Sequence, residues 1–554
     1  MSSSQKLVQS FANVLSKLDE SSSKKSGGEK KPPIFHSSRW VDSRAYHLHS
    51  TSAQKPELSK LLSTIQDEFT HNGLQVAMHS VGTVQHVGNG VAHITGLPHI
   101  AIDELVIFEN GIDGLTLNLG SDHMDVILLG PDENIHGGDL VLTQEKRMTF
   151  PVGNEAIGRI LDPLGNPLDE GKPYETQGSL PIERKAPGIV QRSAINTPLY
   201  TGTKKIDALI PIGRGQRELI AGDRQTGKTT LAIDTILNQK GQGVLCIYVA
   251  IGQKKSSLLP ILNLLRREGA MAYTTVILAN PDDPPALRYI APFSGCTLAE
   301  FYAHQGKDVL IVYDDLSKHA DAYREISLLL KRPPGREAYP GDIFYLHSRL
   351  LERAGKWNES LGGGSITAIP IVTLQQGNVA SYIPTNLISI CDGQIILDTD
   401  LFNRTILPAI NIDLSVSRVG GSAQIPAIRN IASQLKLEIA QFGEIEKFAQ
   451  FGTEIDEETQ FRINRGRIIQ AAFSQPAHHP YTSEEQFLFL YSLTSGRLFD
   501  IPITDLYSFE KSLFRKLHSS PPDFLTSLNT ESILSDEIRL ELDEFIEIVL
   551  SAGL

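Results

Sequence analysis

The sequence predicts a multidomain protein: a small N-terminal β-barrel, a central α/β domain with a mainly parallel sheet, and a C-terminal α-helical bundle. Three observations carry this reading. The hydrophobic period changes twice along the chain, from short alternating runs to strands interleaved with helices, and then to helical spacing alone. The run Gly222-Asp223-Arg224-Gln225-Thr226-Gly227-Lys228-Thr229-Thr230 has the phosphate-loop pattern G-x-x-x-x-G-K-[ST], set between an apolar strand and a helix-like run. The length of 554 residues is enough for several domains, at about 100–200 residues each.

Residues 1–54 are rich in Ser, Lys and His, carry Gly27-Gly28 and Pro32-Pro33, and lack a hydrophobic period over most of their length, as a flexible extension does. Two readings stay open for them. Ser38-Arg39-Trp40, Ser43-Arg44-Ala45-Tyr46 and an apolar helix at 7–18 fit an organelle transit peptide. The acidic Asp19, Glu20, Glu29 and Asp42 fit a plain tail better. Residues 55–147 open on a helix whose Leu58, Leu61, Leu62, Ile65 and Phe69 share one face, and continue as the barrel. Residues 82–87 and 104–108 are among its strands, and Asn89-Gly90, Asn110-Gly111 and Gly137-Gly138-Asp139 mark its turns. The α/β domain spans 148–424, with strands expected at 218–221, 244–251, 274–278, 309–313 and 366–374. Over 425–554, Ile428, Ile431, Leu435, Ile439 and Phe442 line one helix face, and Ile538, Leu542, Phe545 and Val549 another.

Composition excludes several function classes. Hydrophobic content of 41% and charged content of 21% are those of a globular protein. A net charge of −13 argues against a nucleic-acid surface over the whole chain, though not against a local basic channel. Cys246, Cys296 and Cys391 are too far apart for a C-x-x-C zinc or disulfide pattern, which points to a reducing compartment. No run of about 18 apolar residues occurs, so membrane association is expected only through partners.

The phosphate loop dictates its own chemistry. Gly222 and Gly227 let backbone N–H groups curl inward as an anion nest, and the following helix adds its positive end. Lys228 reaches the outer phosphates, and the Thr229 hydroxyl suits magnesium. The apolar strand ending in Asp314-Asp315 supplies a second carboxylate for the ion, usually through water. Either aspartate can instead cap the next helix, Asp315 more readily. A nucleotide with Mg2+ is therefore the expected ligand; that it is ATP or ADP is what the resemblance of longer runs implies.

Longer runs narrow the reading. Pro211-Ile212-Gly213-Arg214-Gly215-Gln216-Arg217-Glu218-Leu219-Ile220, the phosphate loop itself, residues 328–342 and Ser415-Val416-Ser417-Arg418-Val419-Gly420 together resemble the alpha subunits of F-type, proton-translocating ATP synthases. The resemblance covers roughly residues 57–554. It implies a RecA-like nucleotide domain in a ring that alternates with beta subunits around a central-stalk gamma subunit, held by peripheral-stalk subunits. It implies a nucleotide site that binds without turnover, with ATP synthesis driven by proton translocation and catalysed on beta. Gln253 stands where the catalytic subunits carry a Glu. An amide can orient a water but cannot act as its general base, whose loss costs about 10²–10⁴ in rate. Arg418 matches the arginine finger that alpha lends to beta in trans, a contribution of about 10³–10⁵.

Gln225, Gly227, Lys228, Thr229 and Thr230 match nucleotide positions, Asp314 a magnesium position, and Phe402, Pro408 and Gln475 the adenine pocket. Two departures weaken that pocket: Leu407 stands where Arg is common, and Gln475-Pro476-Ala477 replaces Gln-Gly-Gln. Weaker binding or reduced adenine preference is expected. His478-His479 reads as a solvated loop rather than a metal site, and Asp456-Glu457-Glu458 as a solvated helix start. A homohexameric export-type ATPase would need its own base, against Gln253; a ring-shaped RNA helicase fits the acidic balance poorly. Residues 1–54 tilt the expected location to the matrix face of the mitochondrial inner membrane, with bacterial or plastid membranes as alternatives.

Overall fold

The computed structural model describes residues 80–169, 171–449, 457–499, 501–522 and 536–551. The extension at 1–54 and the helix expected at 57–69 lie outside them. Six strands, β1 (Val81–Gly88), β2 (Val91–Thr95), β3 (Glu104–Phe108), β4 (Asp113–Leu119), β5 (Met124–Leu128) and β6 (Leu140–Arg147), close into a barrel of order β1-β2-β5-β4-β3-β6. Asn89 and Gly90 both take positive φ, 54° and 77°, the backbone that a two-residue hairpin between β1 and β2 demands. Alternation splits each strand between two environments. Ala92, Ile94, Val106, Phe108 and Val126 fill the barrel, while Val91, Leu115, Leu117 and Ile127 join the core of the α/β domain.

Two small ribbons follow, β7 (Thr149–Val152) with β9 (Gly178–Pro181), and β10 (Pro198–Leu199) with β11 (Ile212–Gly213). The main sheet has nine strands. They are β8 (Ile160–Leu161), β12 (Glu218–Gly222), β13 (Val244–Ile251), β14 (Thr274–Ala279), β15 (Asp308–Asp314), β16 (Gly355–Lys356), β17 (Ser365–Thr373), β18 (Gly393–Leu397) and β19 (Ile410–Ser417). The path runs β19-β18-β12-β17-β15-β13-β14-β8, with β16 paired beside β17. All neighbours on the path are parallel except β18 with β19. The five expected strands agree with the observed ones to within one residue at each end. Their apolar runs are continuous because both faces are covered. In β13, Cys246, Tyr248 and Ala250 face the core shared with the C-terminal helices, and Ile247, Val249 and Ile251 face the helix Pro285–His304. The edge strand β19 was not anticipated. Its Asp413, Leu414 and Val416 are exposed, which breaks the apolar run a buried strand would show.

The C-terminal helices Pro426–Ala449, Glu457–Ala472, Ser483–Thr494, Leu506–Ser519 and Asp536–Ser551 complete the fold, with Glu457 and Glu458 exposed at a helix start as expected. A Cβ on Gly466 would come within 2.1 Å of Phe442, so glycine sets how closely the first two of these helices approach. A buried ion pair fastens this region to the α/β domain. Lys204 Nζ lies 2.7 Å from Glu510 Oε1 and 4.4 Å from the Phe489 ring centroid. Burial pushes the lysine pKa down and the carboxyl pKa up. Such a pair adds little over an apolar isostere, yet removing one partner strands the other charge. Glu510→Ala should therefore cost about 3–5 kcal/mol of stability. The double change Lys204→Met with Glu510→Leu should recover most of that loss, read from denaturation midpoints.

Candidate functional site

The site forms at the carboxyl ends of the parallel strands. β12 and β13, joined by the helix Lys228–Leu237, are separated in the sheet by β17 and β15, and a crevice opens at that crossover. The loop after β12 is held from within. Gly227 has φ 99° and open space where a side group would stand, so the backbone conformation, not crowding, requires glycine there. Thr226 donates to Asp223 O at 2.9 Å, and Asp223 accepts from Gly377 N and the Thr399 hydroxyl, both at 2.9 Å. Lys228 is buried and places its ammonium on the loop carbonyls of Gly222 (2.9 Å) and Asp223 (2.6 Å). Arg224 and Gln225 are exposed at the loop tip.

Asp314, at the end of β15, gathers the rest. Its Oδ2 accepts from the Thr229 hydroxyl and the Tyr248 hydroxyl, each at 2.8 Å, and its Oδ1 accepts from Gln253 Nε2 at 3.0 Å. Asp315 is separated in role: it caps the helix Leu316–Leu329 by accepting from Lys318 N, and accepts from the Thr373 hydroxyl. Burial, then the like charge of Asp315, raise the Asp314 carboxyl to about 6, and burial lowers the Lys228 ammonium. Thr229 and Asp314 are hard oxygen donors of the kind magnesium takes, so the residues present fit that ion.

Tyr248 escaped the sequence reading because it sits inside the apolar run of β13. The signal was available, since a tyrosine buried on a two-sided strand needs a partner for its hydroxyl.

Of the expected base-pocket residues, Gln475 meets the Leu407–Pro408 segment directly, its backbone N–H donating to Leu407 O at 2.9 Å. Phe402 and Leu407 are part-exposed, and Pro408 O accepts from the buried Lys205 ammonium at 2.8 Å. Gln475 is buried, and its amide is already engaged: it donates to Gly202 O and His479 O, and accepts from Lys204 N. It pins the loop to the segment before the site. His478 and His479 are exposed, as a solvated loop requires, and His478 is also tied to the nucleotide domain. Its backbone N–H and its ring Nδ1 both meet Asp234 Oδ1, at 3.1 and 3.0 Å, on the helix that follows the phosphate loop. The buried carboxylate of Asp234 needs a donor, and His478 provides two.

Arg418 lies elsewhere. β19 pairs Ser417 with Gly393, and Gly393 pairs with Glu218, the first residue of β12. Arg418 thus stands at the opposite end of the sheet from Gly222, roughly 13 Å away along the strand and about 10 Å across two strand spacings. It is exposed and makes no side-chain hydrogen bond or ion pair among the described residues.

Family comparison agrees with this geometry. The model of the ATP synthase alpha/beta family nucleotide-binding domain matches residues 202–417, and that of the C-terminal domain of ATP synthase alpha/beta chains matches 424–549. This protein belongs to the ATP synthase alpha/beta family. It is 51% identical over 473 residues to a protein of Aquifex aeolicus (strain VF5) named ATP synthase subunit alpha, a match that spans 85% of this sequence and 94% of that relative. The barrel, nucleotide domain and helical region are the family architecture, and the phosphate loop and Asp314 fall within the matched nucleotide-binding domain.

Asp314 sets a pH dependence with a definite sign. Its folded pKa is raised from 3.8 to about 6, so its contribution to stability is present below about 4 and is lost as pH rises through about 6. At pH 8 the ligand-free protein carries a penalty of about 3 kcal/mol at most. Asp314→Asn, with the Gln253 amide turned to accept, should raise the ligand-free melting temperature at pH 8, change it little at pH 4, and abolish magnesium-dependent tightening of nucleotide. A pH series of melting curves with and without Mg-ATP checks this.

Proposed function

We propose that this protein is the alpha-type subunit of an F-type ATP synthase, that it holds Mg-nucleotide without turning it over, and that it lends Arg418 to the catalytic site of a neighbouring beta subunit. The observation that carries this reading is the placement of Arg418: exposed, without a side-chain hydrogen bond or ion pair among the described residues, and on the far end of the sheet from its own phosphate loop. A guanidinium so placed stands away from the protein's own phosphate loop, which supports a role at a neighbouring subunit's phosphate.

Within the protein's own site, the backbone N–H groups after Gly222 receive the phosphates, and Lys228 leaves its two loop carbonyls to meet them. Thr229 and Asp314 are the residues that would hold magnesium, which would supply charge neutralisation to the bound phosphates. Gln253 occupies the position next to Asp314 from which a carboxylate would activate water. Its amide donates to Asp314 and offers no base. With Leu407 in place of a polar residue and the Gln475 amide spent on backbone, base recognition relies on apolar contact with Phe402 and Pro408, which supports modest adenine preference.

Assembly with beta, with the central-stalk gamma subunit and with the peripheral stalk follows from the alpha-type reading, as does coupling to proton translocation. No described helix is long and apolar enough to cross a membrane, and attachment through the complex is consistent with that. The composition of residues 1–54 supports the matrix face of the mitochondrial inner membrane.

In the assembled ring, Arg418→Ala and Arg418→Lys should leave nucleotide bound to this subunit and lower ATP turnover by about 10³-fold or more. Near-normal turnover from a fully assembled Arg418→Ala ring would remove the role.

A further inference from the structure

Away from the nucleotide site, metal-ligating groups converge on the outer face of the barrel. His93 on β2 and Asp125 on β5 are register partners, and His93 Nδ1 lies 2.5 Å from Asp125 Oδ1. His123, in the turn that leads into β5, brings its Nε2 to 3.9 Å from the same oxygen. One ligand atom from each of these three residues lies within 4.8 Å of the others. Their neighbours Ala92, Ile94, Met124 and Val126 point into the barrel, so period-two alternation puts the three groups together outside it. His86 on β1 lines the same face, opposite His93 in register, with ring centroids 6.1 Å apart.

A plain His93–Asp125 hydrogen bond accounts for two of these groups and leaves the second imidazole on the same oxygen unexplained. Asp125 is also built like a ligand. It is only 3% exposed, and its other oxygen accepts from Asn118 Nδ2 on β4 at 2.8 Å. An orienting donor behind a carboxylate is what metal sites use to fix a ligand. Imidazole nitrogens with one carboxylate suit zinc among divalent ions, whereas magnesium and calcium prefer all-oxygen sets. Tetrahedral zinc, with bonds of about 2.0–2.2 Å, asks its donors to stand roughly 3.3 Å apart. Small rotations of the exposed His123 and half-buried His93 bring them there.

We propose that His93, His123 and Asp125 form a zinc-binding site on the barrel face, with water completing the fourth position. The ion ties the β4–β5 turn to β2.

Equilibrium dialysis of the chelator-stripped, full-length protein against zinc tests this, with bound metal measured directly. The protein should retain one zinc equivalent more than the His93→Ala/His123→Ala variant. The single change His123→Gln, at an exposed position that leaves the barrel core untouched, should weaken that equivalent at least tenfold, whereas His99→Ala at another exposed position should bind as the unaltered protein does. Cobalt in place of zinc should give the visible absorption of a four-coordinate site in the unaltered protein and lose it in His123→Gln. Equal zinc retention by the unaltered protein and by both His123 variants would overturn the proposal, as would no retention by the unaltered protein at micromolar free zinc.

Discussion

One buried carboxylate organises the nucleotide site. Asp314 draws the phosphate-loop threonine, a core tyrosine and the glutamine after β13 to a single pair of oxygens, and so ties β15 to β13 and to the helix after the phosphate loop. Its position follows from the topology, because β15 lies between β17 and β13, with β17 alone separating it from β12. The cost of keeping it there is visible in its raised pKa. The ligand-free site is under electrostatic tension, which a bound cation would release. A cation that neutralised Asp314 would therefore stabilise the strands around it.

The same sheet gives the protein two working ends. The carboxyl ends of the parallel strands carry the phosphate loop. The opposite end presents Arg418 from the close of β19, over a buried network in which Gln216 bridges Glu218 and the Ser417 hydroxyl. Glu218 is enclosed; burial pushes its carboxyl pKa well up, and the Arg418 guanidinium opposes that shift. An arginine fixed on such a base, without a side-chain hydrogen bond or ion pair among the described residues, is suited to reach outward. The phosphate loop and the exposed Arg418 thus stand at opposite ends of the same sheet.

Much of this was legible in the sequence, and for physical reasons. Strands buried on both faces leave continuous apolar runs, so β12, β13, β14, β15 and β17 could be placed closely. The phosphate loop carries its conformation in its glycines. The pattern left either aspartate able to cap the next helix, Asp315 more readily; the geometry makes Asp315 the cap and turns Asp314 toward Thr229, Tyr248 and Gln253. Elements with one exposed face were hidden, β19 among them, because half-exposed alternation in INIDLSVS resembles a loop. Long-range pins were hidden as well. Nothing in the sequence pairs His478 with Asp234 or Tyr248 with Asp314, since each bond joins residues that only the fold brings together.

The central claim is that this protein's own site keeps its nucleotide chemically intact. It is tested most directly by loading the isolated full-length protein with Mg-ATP, removing the free nucleotide, and extracting what remains bound after many hours. The bound nucleotide should still be ATP, with no phosphate released beyond that of a nucleotide-only control. Conversion of the bound ATP to ADP and phosphate by the isolated protein would contradict the account, because it would require a base that Gln253 does not provide.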